Sequence, residues 1–126
     1  MKKKILIIDD DQVIVKYLEK FLADNGYDVS TAGDGKEGMD LIQRNPPDLI
    51  LLDVMMETLF SGFEVLRKLK LDPARKAIPV IGISGMADEI NVRFDPNRDA
   101  EYFSPDRFLE KPVDKGVLLK TIHDLT

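Results

Sequence analysis

The sequence predicts an α/β protein in which a parallel sheet carries helices on both faces. Short, continuous apolar runs rich in β-branched residues, such as Ile5-Leu6-Ile7-Ile8, read as strands buried on both sides. Between them lie longer stretches whose apolar residues recur at helical spacing. Strand and helix alternate five times along the chain, the pattern of a parallel sheet with right-handed crossovers. Several strands also stop at Asp, Ser or Lys, and ligands of such sheets bind at the carboxyl ends of the strands.

After Ile5–Ile8, the pattern changes at Gln12. Val13, Ile14, Tyr17, Leu18, Phe21 and Leu22 recur at helical spacing, with Lys16, Glu19, Lys20 and Asp24 expected on the other face. Asp11 has the side chain preferred at an N-cap, and Asn25-Gly26 ends the helix. Tyr27 to Ala32 alternates as a strand. Asp34-Gly35 is a turn or cap, Glu37 to Gln43 a second helix, and Asn45-Pro46-Pro47 its stop. Asp48 to Asp53 is a buried strand with an acid at each end, followed by a loop through Gly62.

Phe63, Val65, Leu66 and Leu69 mark a third helix, closed by Asp72-Pro73. Ile78 to Ile83 is a strand with proline near its start, where a missing N–H does least harm. From Gly85 to Pro105 only weak periodicity survives, around Glu89 to Phe94, so the fourth helix region is expected to be irregular. Arg107 to Leu109 forms a short last strand, and Val113 to Leu125 a final helix with Val117, Leu118, Thr121, Ile122 and Leu125 in phase.

The 126 residues suit one domain spanning 1–126, with enough chain for a core that needs no covalent staple. Cysteine is absent, which excludes disulfides, a thiolate nucleophile and cysteine zinc sites; one histidine excludes a multi-histidine metal centre. The net charge of -5 argues against nucleic acid, because neutralising phosphates takes clustered Lys and Arg. Lys2-Lys3-Lys4 before an apolar run mimics a signal peptide, but that run stops at Asp9. No stretch approaches a membrane span, so a cytoplasmic protein is expected.

Chemistry gathers at the strand ends. The first strand ends in Asp9, Asp10 and Asp11, the third in Asp53, the fourth in Ser84 and the fifth in Lys111. Clustered carboxylates repel, and a hard divalent cation removes the repulsion. Oxygen-only ligands suit Mg²⁺, which keeps several waters. A carboxylate beside that ion can attack phosphorus, with Lys111 and Ser84 compensating charge on the transferred phosphoryl group.

Five segments in order carry a resemblance: Ile5 to Asp11; Leu49 to Met56; Gly62-Phe63-Glu64-Val65-Leu66; Ile78-Pro79-Val80-Ile81 with Ser84; and Phe108-Leu109-Glu110-Lys111-Pro112. Over essentially its full length the chain resembles a bacterial two-component response-regulator receiver domain of the chemotaxis and sporulation phosphorelay type. The resemblance implies a flavodoxin-like doubly wound sheet of five parallel strands in the order 2-1-3-4-5. It implies Asp53 as phosphoacceptor, Asp10 as a direct Mg²⁺ ligand, Asp9 acting largely through water, and the Met55 carbonyl as a further ligand. Ser84 matches the switch hydroxyl, Phe108 the switch aromatic and Lys111 the family's lysine. The Lys111–Pro112 bond is expected to be cis.

The implied donor is a sensor histidine kinase or a histidine phosphotransfer protein, and the output is a protein partner. The implied domain is stand-alone, a monomer or a weak phosphorylation-dependent dimer, and not an enzyme in the ordinary sense.

Some residues depart from the family pattern. Glu57 replaces a proline, the loop to Gly62 is longer than usual, and so is the span from Ser84 to Lys111, with Asp95-Pro96-Asn97 and Ser104-Pro105 in it. Met55 and Met86 stand at variable positions beside the site, where apolar side chains are expected to hinder a hydrolytic water. Two other functions compete. Asp9-Asp10-Asp11-Gln12-Val13 also fits a haloacid dehalogenase-type phosphatase, with Asp9 as nucleophile and Asp11 as general acid, although that reading leaves Asp53 without a role. A receiver-like binding module that is never phosphorylated is the other. Flavin binding shares the topology, but three aspartates would repel the flavin's phosphate.

Overall fold

A computed structural model of the protein describes residues 2–53, 61–84 and 106–126, with side chains at 61–63 and 84 excepted. In chain order the described elements are β1 (Lys4–Ile8), α1 (Gln12–Asp24), β2 (Asp28–Ala32), α2 (Gly35–Arg44), β3 (Leu49–Asp53), α3 (Ser61–Leu71), β4 (Val80–Ser84), β5 (Arg107–Glu110) and α4 (Lys115–Leu125). The strands form one parallel sheet in the order β2-β1-β3-β4-β5. This is the flavodoxin-like doubly wound arrangement. The region expected to be irregular, 85–105, lies outside the described residues.

The period of two along each strand sorts side chains to opposite faces. Leu6 and Ile8 of β1, with Ile50 and Leu52 of β3, meet α2 and α3 through Ile42, Val65, Leu66 and Leu69. Ile5 and Ile7, with Leu49, Leu51, Ile81 and Ile83, meet α1 and α4 through Val15, Leu18, Leu22, Leu118 and Ile122. All of β3 is buried, as a central strand covered on both sides must be. Each such Leu or Ile contributes about 1.5–3 kcal/mol by leaving water.

The helix ends follow local chemistry. The Asp11 carboxylate accepts from the N–H groups of Val13 and Ile14 and so caps α1. At the other end Gly26 takes φ of 91°, its N–H donates to the Ala23 carbonyl, and the Tyr27 N–H reaches the Leu22 carbonyl. This is a Schellman closure, and it consumes Tyr27, so β2 begins at Asp28. Gly38 of α2 lies hard against β1: a Cβ there would stand 2.5 Å from Ile8 Cδ1. Asp34 and Asp114 cap α2 and α4.

Several sequence expectations shift. Val13 and Tyr17 stay 79% and 48% exposed. At roughly 100° per residue Val13 stands about 180° from Leu22 and Tyr17 about 140°, off the buried stripe of Val15, Leu18 and Leu22. Val117 is likewise half exposed. Ile78 belongs to a turn, its N–H bonded to the Arg75 carbonyl, and β4 starts only after Pro79. The last helix begins at Lys115, because the Asp114 side chain accepts from the Val117 N–H. Among the described residues no helix is long and apolar enough to cross a membrane.

Candidate functional site

The parallel sheet delivers β1, β3 and β4 to one edge, and the residue after β5 joins them. Asp9 follows β1, and its N–H donates to the Ala32 carbonyl of β2 at 3.1 Å. Its carboxylate is buried, only 2% exposed, and is held from two sides. Oδ1 accepts from the Asp11 N–H at 2.9 Å, and Oδ2 lies 3.1 Å from Lys111 Nζ. Asp53 closes β3, is 4% exposed, and places Oδ2 3.3 Å from the same ammonium. Asp10 is exposed at the mouth. Ligand oxygens of Asp9, Asp10 and Asp53 can all lie within 4.8 Å of one another.

Buried carboxylates cost several kcal/mol unless compensated. Lys111 provides part of the compensation. Burial pushes its pKa down, but the charges and hydrogen bonds of Asp53 and Asp9 outweigh burial and hold it above the usual lysine value of 10.5. Lys111 is therefore a fixed cation over the working pH range. Among the described residues three acids still face one base, an excess that a divalent cation would balance. The donors are all oxygens, two buried and one open to water, which fits Mg²⁺ better than a softer metal.

The other sequence-predicted residues fall as follows. Ser84 ends β4 and pairs in register with Glu110, beside Lys111; its side chain is outside the described residues. Phe108 pairs with Gly82 on the edge strand and is 38% exposed. The Lys111–Pro112 peptide is cis. Met55, Glu57 and Met86 lie outside the described residues. His123 is exposed on α4.

Two features escaped the sequence reading. Asp106 bonds the start of β4, a role signalled only by an acid just before the last strand. Lys115 stacks its ammonium over Tyr17 and Phe21, 4.9 and 5.4 Å from the ring centroids, joining α4 to α1.

A family model described as the response regulator receiver domain matches residues 5–123. The chain belongs to the response regulator receiver family. Receiver domains are phosphoacceptor signalling domains of two-component systems, bind Mg²⁺ through an acidic cluster, and take their phosphoryl group from histidine kinases or phosphotransfer proteins. The phosphatase and binding-module readings are not favoured.

Among relatives of this receiver domain, the response regulator PleD of Caulobacter vibrioides is 40% identical over 126 residues, 100% of this chain and 26% of PleD. The chain thus spans about a quarter of that relative's length. Protein PilH of Pseudomonas aeruginosa is 34% identical over 120 residues, 95% of this chain and 94% of PilH. Among solved structures, a CheY-like receiver domain protein from Methanospirillum hungatei superposes with a TM-score of 0.82 at 30% identity, covering 98% of this chain and 93% of that one. Chemotaxis response regulator CheY4 of Vibrio cholerae gives 0.83 at 26% identity, with both chains covered completely.

Proposed function

We propose that residues 1–126 act as one receiver domain in which Asp53 accepts a phosphoryl group in a Mg²⁺-dependent reaction. The single observation that carries this reading is the convergence of Asp9, Asp10 and Asp53 with Lys111 between two of them. The donor is a phosphohistidine of a sensor histidine kinase or histidine phosphotransfer protein. An Asp53 carboxylate oxygen attacks phosphorus. The new P–O bond forms as the P–N bond breaks, and its electron pair returns to the donor's imidazole.

The residues divide the work. Asp9, Asp10, Asp53 and the Met55 carbonyl would hold the ion, whose chemistry is to neutralise charge on the acids and on the phosphoryl oxygens. Lys111 holds Asp53 and presents its ammonium to developing negative charge. Ser84 donates to a phosphoryl oxygen, and Phe108 responds to that move on the edge strand. The changed surface then engages a protein partner in the cytoplasm, as a monomer or a weak phosphorylation-dependent dimer. We read the domain as a phosphoacceptor that takes part in its own phosphorylation and dephosphorylation, not as an enzyme acting on a separate substrate.

Beryllofluoride, a phosphoryl mimic, tests the site. With Mg²⁺ it is expected to perturb the amide resonances at Asp53, Ser84 and Lys111, and Asp53→Asn is expected to abolish the change. Perturbation centred on α1 alone would contradict the reading.

A further inference from the structure

Among the described residues the edge strand β5 has little side-chain burial to hold its register. It is only four residues long with just Leu109 partly buried, and register is weakly specified where burial does not dictate it. Yet Lys111 follows directly, and its ammonium must fall between Asp9 and Asp53. The start of the strand supplies the missing constraint. The Asp106 N–H donates to the Val80 carbonyl at 2.8 Å, and Asp106 Oδ2 accepts from the Val80 N–H at 2.7 Å. One residue thus closes the main chain of Val80, a fully buried residue, in both directions. Lys70 of α3 stands 3.7 Å from the same Oδ2, and Arg107 Nη1 donates to the Asp106 carbonyl. The register that follows runs from Ile81 opposite Arg107 to Ser84 opposite Glu110.

We infer that Asp106 is a positioning residue for Lys111: by clamping β5 to Val80 it fixes the strand register that places the Lys111 ammonium between Asp9 and Asp53. Without the side-chain acceptor the buried Val80 N–H loses its partner, and β5 can slide or fray. A one-residue slip turns every β5 side chain to the opposite face and carries Lys111 away from the acids. Asp9, Asp10 and Asp53 follow β1 and β3, so they stay in place without the clamp, and moving the Lys111 cation from between them does not weaken their hold on a metal cation.

This inference rests on the phosphoacceptor reading for its kinetic test, but not for its spectroscopic one. Asp106→Ala and Asp106→Asn are compared with the unaltered chain, each shown folded by its thermal transition. With acetyl phosphate and Mg²⁺, Asp106→Ala is expected to slow phosphorylation at least about tenfold, as misplaced catalytic groups do, with Mg²⁺ affinity undiminished. Asp106→Asn keeps the acceptor for the Val80 N–H and is expected to restore the rate to within about twofold of the unaltered chain. The Lys111 side-chain NMR shifts should move in Asp106→Ala and return in Asp106→Asn.

An Asp106→Ala protein with the original rate and Lys111 shifts overturns the clamp. So does parallel loss of rate and Mg²⁺ affinity, the mark of general destabilisation. If Asp106→Ala does not fold, a tenfold slower Asp106→Asn still overturns it. If the unaltered chain takes no phosphoryl group, the function reading fails, and the Lys111 shifts alone decide the clamp.

Discussion

Lys111 Nζ lies 3.3 Å from Asp53 Oδ2, although the two residues are 58 positions apart in the chain. The parallel sheet creates that contact: β3 ends at Asp53, and β5 releases Lys111 two strands away at the same edge. The pair places a fixed cation beside the residue proposed to attack phosphorus. Lys111→Met is expected to slow phosphorylation of Asp53 roughly 10²–10³-fold, the usual loss when one preorganised charge partner of a transition state is removed. Phosphorylation rates with acetyl phosphate at saturating Mg²⁺ check this.

The same contact has a consequence for pH. The Lys111 pKa is raised in the folded chain, so its ion pairs stabilise the fold fully below the ordinary lysine value of 10.5. That contribution is lost as pH rises through the folded-state value. Urea unfolding midpoints are expected to fall in alkaline solution for the unaltered chain, and to fall less for Lys111→Met.

Asp10 adds a third acid to two that are buried. Asp10→Asn is expected to raise the unfolding midpoint of the metal-free chain by relieving repulsion. It should also remove most of the stabilisation that Mg²⁺ confers on the unaltered protein at moderate Mg²⁺, because that stabilisation grows as the logarithm of one plus the ion concentration over its Kd. Thermal melts with and without Mg²⁺, and with a chelator, measure both effects.

Gly38 and Ile8 report on how α2 seats on the sheet. A Cβ at 38 would meet Ile8 at Cδ1 (2.5 Å) and Cγ1 (2.9 Å), so Gly38→Ala is expected to cost about 1–3 kcal/mol by overpacking. Ile8→Val removes Cδ1 and should recover part of that loss in the double variant. Denaturant unfolding of the four proteins gives the coupling.

Asp11 separates two chemistries. Its carboxylate is committed to the N–H groups of Val13 and Ile14. Asp11→Ala is expected to cost about 1 kcal/mol of stability through the lost cap while leaving the acceptor in place. A phosphatase using Asp11 as general acid would instead lose its turnover. Stability and phosphorylation measured on the same sample distinguish them.

The sheet and its strand-end acids are legible in the sequence because each acid follows an apolar run that has no choice but burial. Leu49 to Leu52 must be central, so Asp53 must stand at a sheet edge. Helical spacing is read less surely: Val13 stands about half a turn from Leu22 on α1, so an apolar residue inside the helical stretch need not join the buried stripe of Val15, Leu18 and Leu22. The Ile78–Ile83 run overreaches at its start for a related reason, since an apolar residue before a proline fits a buried turn as well as a strand. Asp106 is barely legible in the sequence: an acid just before the last strand is its one signal, and its partner, a main-chain group 26 positions away, leaves no mark in residue type.

The most direct test locates the phosphoryl group. The chain is incubated with acetyl phosphate and Mg²⁺, the acyl phosphate is trapped by borohydride reduction, and the modified residue is mapped by mass spectrometry. Modification at Asp53 alone, abolished by chelation of Mg²⁺, is the expected result. Modification at Asp9, or incorporation that persists in Asp53→Asn, would contradict the account.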